Sequence, residues 1–169
     1  MTVDDRIRRL EDRAALDDLV VRYFLAADGD DLKGVGDSFM LDATFASSGA
    51  ISATGRQGIV DFIVASRAQM GLTVHTPNYG LYTFGDDNDR ATGLIGAHLE
   101  LVVADQSLFG AVRYQDQYVR TCEGWLIASR DMRTVYIAPM DELGDAMRSD
   151  HPVRWPGISP LPTDFPRSS

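Results

Sequence analysis

The chain has 169 residues, of which 44% are hydrophobic and 24% charged, as in an ordinary globular protein of one domain. Its 25 acidic residues outnumber its 16 basic ones and give a net charge of −9, which argues against a nucleic-acid or anionic-membrane partner. With one cysteine, Cys122, an intrachain disulfide and a cysteine-rich zinc site are both excluded.

The N-terminal part of the chain is predicted to be mainly helical. Apolar residues recur every three or four positions over residues 4–27, with Arg and Asp between them, which predicts an amphipathic helix. We expect it to end at Gly29 in the left-handed conformation that follows many helices. A short helix over residues 32–39 and a strand over residues 41–45 are predicted next, and helical spacing returns over residues 55–70.

The second half of the chain has the pattern of a β-meander. Four predicted strands cover residues 73–84, 91–104, 108–121 and 125–137, and only short segments join them. Such short links require antiparallel neighbours, because a parallel crossover needs about a dozen residues or more. Helices first and strands afterwards indicate an α+β fold, in which the helices cover one face of a curved sheet.

The C-terminal segment departs from this pattern. A last short helix is predicted over residues 141–149, and a proline-rich tail over residues 151–169 that packs as extended chain or frays. We therefore assign a single domain to residues 1–150. Because the sequence has neither a signal-peptide pattern nor a long apolar run, we expect a cytoplasmic protein with no membrane partner.

Few residues could carry catalysis. The sequence contains no glycine-rich phosphate loop, no nucleophile elbow and no His-Glu-x-x-His motif, and it has only three histidines. We therefore expect no cofactor and no metal. What remains is Asp28, at the end of the first helix, with His75 and His98 on adjacent predicted strands. A carboxylate bound to one imidazole nitrogen leaves the other nitrogen available as a base.

The position of His98 depends on the register of its hairpin. A turn near Asp87 brings His75 and His98 within about one residue of facing each other. They share a face of the sheet only if the paired residue numbers sum to an odd value, which the sequence leaves open. His98 is therefore either a hydrogen-bonded core residue or a pocket residue. Its strand is largely apolar on both faces, which predicts that a homodimer or homotrimer covers the outer face of the sheet.

Three further side chains are candidates for contact with a substrate. Tyr23 precedes Asp28 by five residues, so the two reach one pocket only if Asp28 has left helical geometry. Tyr114 shares a strand face with Tyr118 and is a candidate pocket donor. Arg130, on the last strand, is either ion-paired or able to reach a substrate oxygen.

Several segments, taken together and in order, resemble the SnoaL-like branch of the nuclear transport factor 2 superfamily. They are YFLAADGD at residues 23–30, FMLDA at residues 39–43, Gly55-Arg56 before a helix, His75, and Tyr114, Tyr118 and Glu123-Gly124-Trp125. Within the superfamily the chain is most similar to scytalone dehydratase, bile-acid 7α-dehydratase and hexachlorocyclohexane dehydrochlorinase. In that group a helix-end Asp pairs with a His on the first long strand.

The resemblance implies a site and a fold. Asp28 and His75 match the Asp–His pair, Tyr23 matches a tyrosine of the bile-acid enzyme, and His98 falls where scytalone dehydratase has its second histidine. The implied fold is a cone, in which a bent antiparallel sheet with a mixed edge wraps around a pocket that the N-terminal helices close.

The resemblance also implies a reaction. A cofactor-independent lyase would eliminate water or another leaving group from a small polycyclic or aromatic-like, hydrophobic substrate. His75 would take a proton from carbon and Asp28 would orient it, while His98, Tyr23 or Tyr114 would hydrogen-bond the carbonyl or leaving oxygen. The same fold also supports an isomerase or cyclase, or a non-catalytic assembly subunit like the small subunit of ring-hydroxylating dioxygenases.

Overall fold

The structure is a computed structural model that describes residues 2–166. The elements, in chain order, are α1 (Val3–Asp28), α2 (Leu32–Asp37), β1 (Phe39–Ser47), β2 (Ala50–Thr54), α3 (Arg56–Arg67), β3 (Met70–Phe84), β4 (Arg90–Val103), β5 (Gln106–Thr121), β6 (Gly124–Pro139) and α4 (Leu143–Ala146). The two short predicted helices, before β1 and after β6, are both present but shorter than expected, and the first ends early because Phe39 already belongs to β1.

Six strands form one curved, open sheet in the order β2-β1-β6-β5-β4-β3. Every neighbouring pair is antiparallel except β1 and β6, which run parallel, so one edge of the sheet is mixed. The helices α1 and α3 pack on the inner face of this sheet, where most of the core lies. The predicted α+β cone is confirmed.

The long helix α1 begins and ends with specific hydrogen bonds. A capping box at its start joins Thr2 and Asp5, and each donates one backbone N–H to the other's side chain. At its end, Gly29 N–H donates to the Leu25 carbonyl at 2.9 Å. Gly29 has a φ of −91°, and the left-handed residue is Asp30, with a φ of 55°. The predicted helix end is thus correct, but the predicted left-handed glycine is wrong. Over residues 2–166, no helix combines the length and the apolar character needed to span a membrane.

The strand β2 is not predicted from the sequence, because its five residues show no clear alternation of apolar and polar side chains. It has five residues, four of them exposed, and it pairs only with β1 at the edge of the sheet. The turn before it is made by Ser48 and Gly49, which have φ values of 51° and 83°. Two successive left-handed residues are the requirement of a tight type I′ hairpin.

The outer face of the sheet carries exposed apolar side chains. Tyr79 and Leu81 of β3 are 50% and 62% exposed. The homodimer or homotrimer expected to cover this face stays a prediction.

Candidate active site

A carboxylate–imidazole pair joins the last residue of α1 to the beginning of β3. The Nδ1 atom of His75 lies 2.6 Å from Oδ1 of Asp28, and the His75 backbone N–H donates to Oδ2 at 2.7 Å. The Thr73 hydroxyl donates to Oδ1 at 3.0 Å. The contact predicted between Asp28 and His75 is therefore confirmed, and three hydrogen bonds in all hold the Asp28 carboxylate in place.

These contacts define the protonation of the pair. Burial alone would raise the pKa of Asp28, but the hydrogen bonds from His75 and Thr73, together with the positive charge that His75 carries whenever it is protonated, hold that pKa below its ordinary value. Asp28 is therefore an ionised carboxylate at neutral pH and can only accept hydrogen bonds. It follows that Nδ1 of His75 carries a proton, and that Nε2 is the nitrogen free to accept one.

Two further residues support the pair, and the sequence did not point to either. The Phe24 ring stacks on the imidazole of His75, with ring centroids 4.9 Å apart and an angle of 13° between the planes. Arg67, at the end of α3, donates to the Thr73 hydroxyl at 2.8 Å and pairs with Asp30 at 2.7 Å. Phe24 therefore fixes the tilt of the imidazole, and Arg67 ties α3 to the residues around Asp28. No local pattern marks either residue, because the contacts of Phe24 with His75 and of Arg67 with Asp30 join distant segments of the chain.

A cavity of about 130 Å³ lies next to His75, between the helices and the inner face of the sheet. Most of its wall is apolar and is formed by Ala27, Phe45, Phe62, Ile63, Met70, Leu99, Leu101, Met132 and Trp155. His75 lines the cavity and Asp28 does not, and Nδ1 is the ring nitrogen of His75 that is held by Asp28. An apolar space with a few convergent polar groups is typical of a small-molecule site.

Two tyrosine side chains also line this cavity, as predicted for Tyr23 and Tyr114. They are 3% and 1% exposed. Burial raises the pKa of both phenols, so both stay protonated and can act as hydrogen-bond donors. Tyr23 lines the cavity itself, whereas Asp28 contacts the cavity residue His75. Both residues therefore belong to one site, although Asp28 remains the last residue of the helix.

Arg130 lies beneath the cavity and does not line it. Its side chain is fully buried and forms two hydrogen bonds with Asp116, at 2.9 and 2.6 Å. Its guanidinium lies 4.3 Å from the ring centroid of Tyr23 and 4.8 Å from that of Tyr114. Within residues 2–166, its Nη1 has no hydrogen-bond partner. Of the two possibilities given for Arg130, the ion pair is therefore confirmed and direct contact with a substrate is wrong, because the side chain is fully buried and does not line the cavity.

His98 lies on the other face of the sheet. In β3 and β4, His75 is paired with Leu99 and Thr76 with His98, so the two histidines point in opposite directions. His98 instead packs against Phe109 on the outer face, with ring centroids 5.3 Å apart. The expectation that His98 lines the pocket is wrong.

The cause is a bulge in β3. Next to the turn the paired residue numbers sum to an odd value, which would have placed both histidines on one face. The register shifts between Pro77 and Tyr79, so that Asn78 is an extra residue in β3 with no residue of β4 paired to it. Proline cannot donate to the ladder, which makes its neighbourhood a common place for a bulge.

Among residues 2–166, no three His, Cys, Asp or Glu side chains lie close enough together to hold a metal ion.

Comparisons with known proteins agree with this architecture. Residues 8–131 match the SnoaL-like domain family. No curated protein sequence matches the chain. Among solved structures, LinA is 24% identical with a TM-score of 0.74, over 80% of this chain and 93% of that one. Hexachlorocyclohexane dehydrochlorinase LinA-type3 from Novosphingobium barchaimii is 22% identical with a TM-score of 0.73, over 80% and 94%.

A scytalone dehydratase-like protein from Novosphingobium aromaticivorans is also similar, with 16% identity and a TM-score of 0.71 over 78% of this chain and 89% of that one. At identities this low, the three similarities establish a shared fold. The family match covers most of the chain, including Asp28, His75 and both cavity tyrosines. The chain is thus a member of the SnoaL-like domain family within the nuclear transport factor 2-like superfamily.

Proposed function

We propose that the protein is a cofactor-independent lyase that removes a proton from carbon and expels a leaving group from the adjacent carbon. The observation that carries this proposal is the Asp28–His75 pair, in which Asp28 holds Nδ1 and the imidazole lines an apolar cavity. The fold shared with a dehydrochlorinase and a scytalone dehydratase-like protein supports the same class of reaction.

His75 acts as the base in this reaction. Its Nε2 takes the proton from the substrate carbon, and the electron pair of the broken C–H bond becomes the second bond of the new double bond. The leaving group departs from the neighbouring carbon with its own bonding pair, either as halide or as a hydroxyl group that takes a proton back from the His75 imidazolium and leaves as water. Asp28 stabilises the imidazolium that forms, and a base positioned in this way contributes about 10²–10⁴-fold to the rate.

Among the polar side chains that line the cavity, Tyr23 and Tyr114 are the donors that we assign to the negative charge that develops. Both hydroxyls are protonated, and each can hydrogen-bond a departing atom or a carbonyl oxygen of the substrate. Arg130 influences the Tyr23 hydroxyl through its charge. Burial raises the pKa of Tyr23, and the positive charge of Arg130 opposes this increase. The fixed cation thus makes the Tyr23 hydroxyl a stronger donor without touching the substrate.

The size of the cavity favours a substrate with one ring. Its volume of about 130 Å³ is close to that of an engineered apolar cavity of about 150 Å³ that binds benzene. A steroid does not fit such a space. Halogenated or hydroxylated six-membered rings that carry a leaving group next to an acidic C–H bond are therefore the substrates to test first.

An isomerase or cyclase would use the same first step. In that case the imidazolium returns its proton to another carbon of the substrate, and no leaving group is released. Release of chloride or of a hydroxyl group separates the two outcomes.

The experiment is turnover of γ-hexachlorocyclohexane, scored as chloride release, and of 3-hydroxycyclohexanone, scored as loss of water, with C–H exchange in deuterated water followed by NMR. We expect elimination from at least one of them by the wild-type protein, and its loss in His75→Gln. Exchange without release would point to the isomerase. Elimination that persists in a folded His75→Gln variant would exclude His75 as the base.

A further inference from the structure

The C-terminal tail is folded back onto the sheet and held at two points. Val153 is bridged to Ile137 of β6 and to Leu161 further along the tail. Further on, the carboxylate of Asp164 accepts hydrogen bonds from the Thr134 backbone N–H and the Ser48 hydroxyl, both at 2.7 Å. This part of the tail therefore packs as extended chain and does not fray.

Between these two fastenings the tail reverses direction in a tight turn. The turn spans Trp155, Pro156, Gly157 and Ile158, and the Ile158 N–H donates to the Trp155 carbonyl at 3.3 Å. Gly157 has a φ of 82°. Proline followed by a left-handed glycine is the sequence requirement of a type II turn. The backbone of Trp155 is thus held by the bridge before it and the turn after it.

The indole of Trp155 forms part of the cavity wall. It is partly buried against the core and lines the same space as His75. Ser47 and Met132 also line the cavity, and they lie close in sequence to Ser48 of the β1–β2 turn and Thr134 of β6, which bind Asp164 of the tail. The tail therefore covers the side of the cavity formed by β1 and β6, whereas His75 and Leu99 form the side given by β3 and β4. The segment also lies beyond residues 8–131, which match the family.

We propose that Trp155 is the residue that determines how large a ligand the cavity admits. With the indole in place the cavity takes an apolar molecule with one six-membered ring, and removal of the indole makes room for a second, fused ring. This inference rests on the proposed function in one respect, namely that this cavity is the substrate site. Its physical basis is steric: a rigid aromatic side chain in the cavity wall overlaps with a larger ligand, while a smaller ligand keeps its contacts with the rest of the cavity.

The test is a binding measurement with phenol and 1-naphthol as probes, by isothermal titration calorimetry, on full-length wild-type protein and three variants. Trp155→Ala should increase the affinity for 1-naphthol relative to phenol by about tenfold or more, because the second ring becomes buried. Trp155→Phe should give a smaller change in the same direction, because it keeps part of the wall. The Tm of each variant, measured in parallel, shows that it is folded.

The matched control is Phe165→Ala. Phe165 is also an aromatic residue of the tail, but it packs on Arg113, 4.6 Å from the guanidinium, and does not line the cavity. Its loss should leave the ratio of the two affinities unchanged. The proposal is overturned if a folded Trp155 variant, either Ala or Phe, keeps the wild-type ratio, or if neither probe binds any of the proteins.

Binding of the probes requires no proton transfer, so this result is independent of turnover. Unchanged size preference with elimination that depends on His75 would remove the role of Trp155 and leave the proposed lyase intact. A changed size preference without any elimination would support the role of Trp155 and remove the proposed lyase.

Discussion

Two acid–base pairs lie on the inner face of the sheet, and they differ in what can reach them. In the Asp28–His75 pair each side chain keeps 18% of its surface exposed, and the imidazole borders the cavity. In the Asp116–Arg130 pair both side chains are completely buried. Burial alone would lower the pKa of Arg130, but Asp116 keeps it above its ordinary value, so this cation is permanent. Only the first pair can exchange a proton with a ligand, whereas the second supplies a fixed charge.

Similar hydrogen-bond geometry therefore does not imply a similar role in the two pairs. The closest N···O distance is 2.6 Å in both pairs. Accessibility and the identity of the basic group decide the difference, because a neutral imidazole has a ring nitrogen that can accept a proton, whereas a guanidinium has only donors. Each prediction below changes one side of this comparison.

The largest effect on stability is expected at the enclosed pair. Asp116→Ala leaves Arg130 without a counter-ion and removes the acceptor of the Tyr118 hydroxyl, which lies 2.6 Å away. We expect the free energy of unfolding to fall by about 3–5 kcal/mol, measured by urea denaturation. Arg133→Ala, which breaks a partly exposed pair with Asp131, should cost only about 0–1 kcal/mol. Equal losses in the two variants would show that burial does not set the strength of the Arg130 pair.

The next effect concerns turnover, and the two histidines of the β3–β4 hairpin form a matched pair. His75→Gln keeps much of the side-chain volume but removes the base, so turnover of a substrate found by the elimination assay should fall by about 10²–10⁴-fold. His98→Gln makes the same change on the outer face and should leave turnover as it is. Loss of turnover in folded His98→Gln protein would mean that the outer face takes part in the reaction.

A smaller effect is expected from the hydroxyl that supports Asp28. Thr73→Val removes the donor to the Asp28 carboxylate and the acceptor of Arg67, and keeps the shape of the side chain. We expect it to lower the free energy of unfolding by about 1–3 kcal/mol, and Thr73→Ser, which retains the hydroxyl, to lower it much less. Thermal unfolding of the two variants side by side measures the difference, and identical Tm values would show that the hydroxyl is dispensable.

The smallest effect is a pH dependence, because the Asp28 carboxyl is only partly buried. Its pKa in the folded protein lies below the ordinary value of 3.8, so the folded state binds the proton more weakly than the unfolded chain. The stabilisation it provides is complete above pH 3.8 and is lost as the pH falls through the lower, folded value. Asp28→Asn should therefore flatten the acid side of a plot of Tm against pH. Parallel curves for the wild type and the variant would contradict this depression of the pKa.

Local sequence patterns determined much of the fold and part of the site. The spacing of apolar residues predicted α1, α3 and the four long strands, because helical and strand periods persist over many residues. The short links between the strands required the antiparallel meander. Alternation placed Tyr114 and Tyr118 on one face, where both are buried. The contact between Asp28 and His75 came from the family resemblance, since nothing in the spacing brings the end of α1 to β3.

Tertiary structure decided the features that depend on one residue or on distant contacts. A single extra residue, Asn78, reversed the face of His98, because strand side chains alternate and a shift of one inverts them. Burial converted Arg130 from a predicted substrate contact into an enclosed ion pair. Trp155 joined the cavity because the tail folds back over β6, which no local period encodes. Sequence alone thus determines the elements and their alternation, and three-dimensional packing determines which side chains share the cavity.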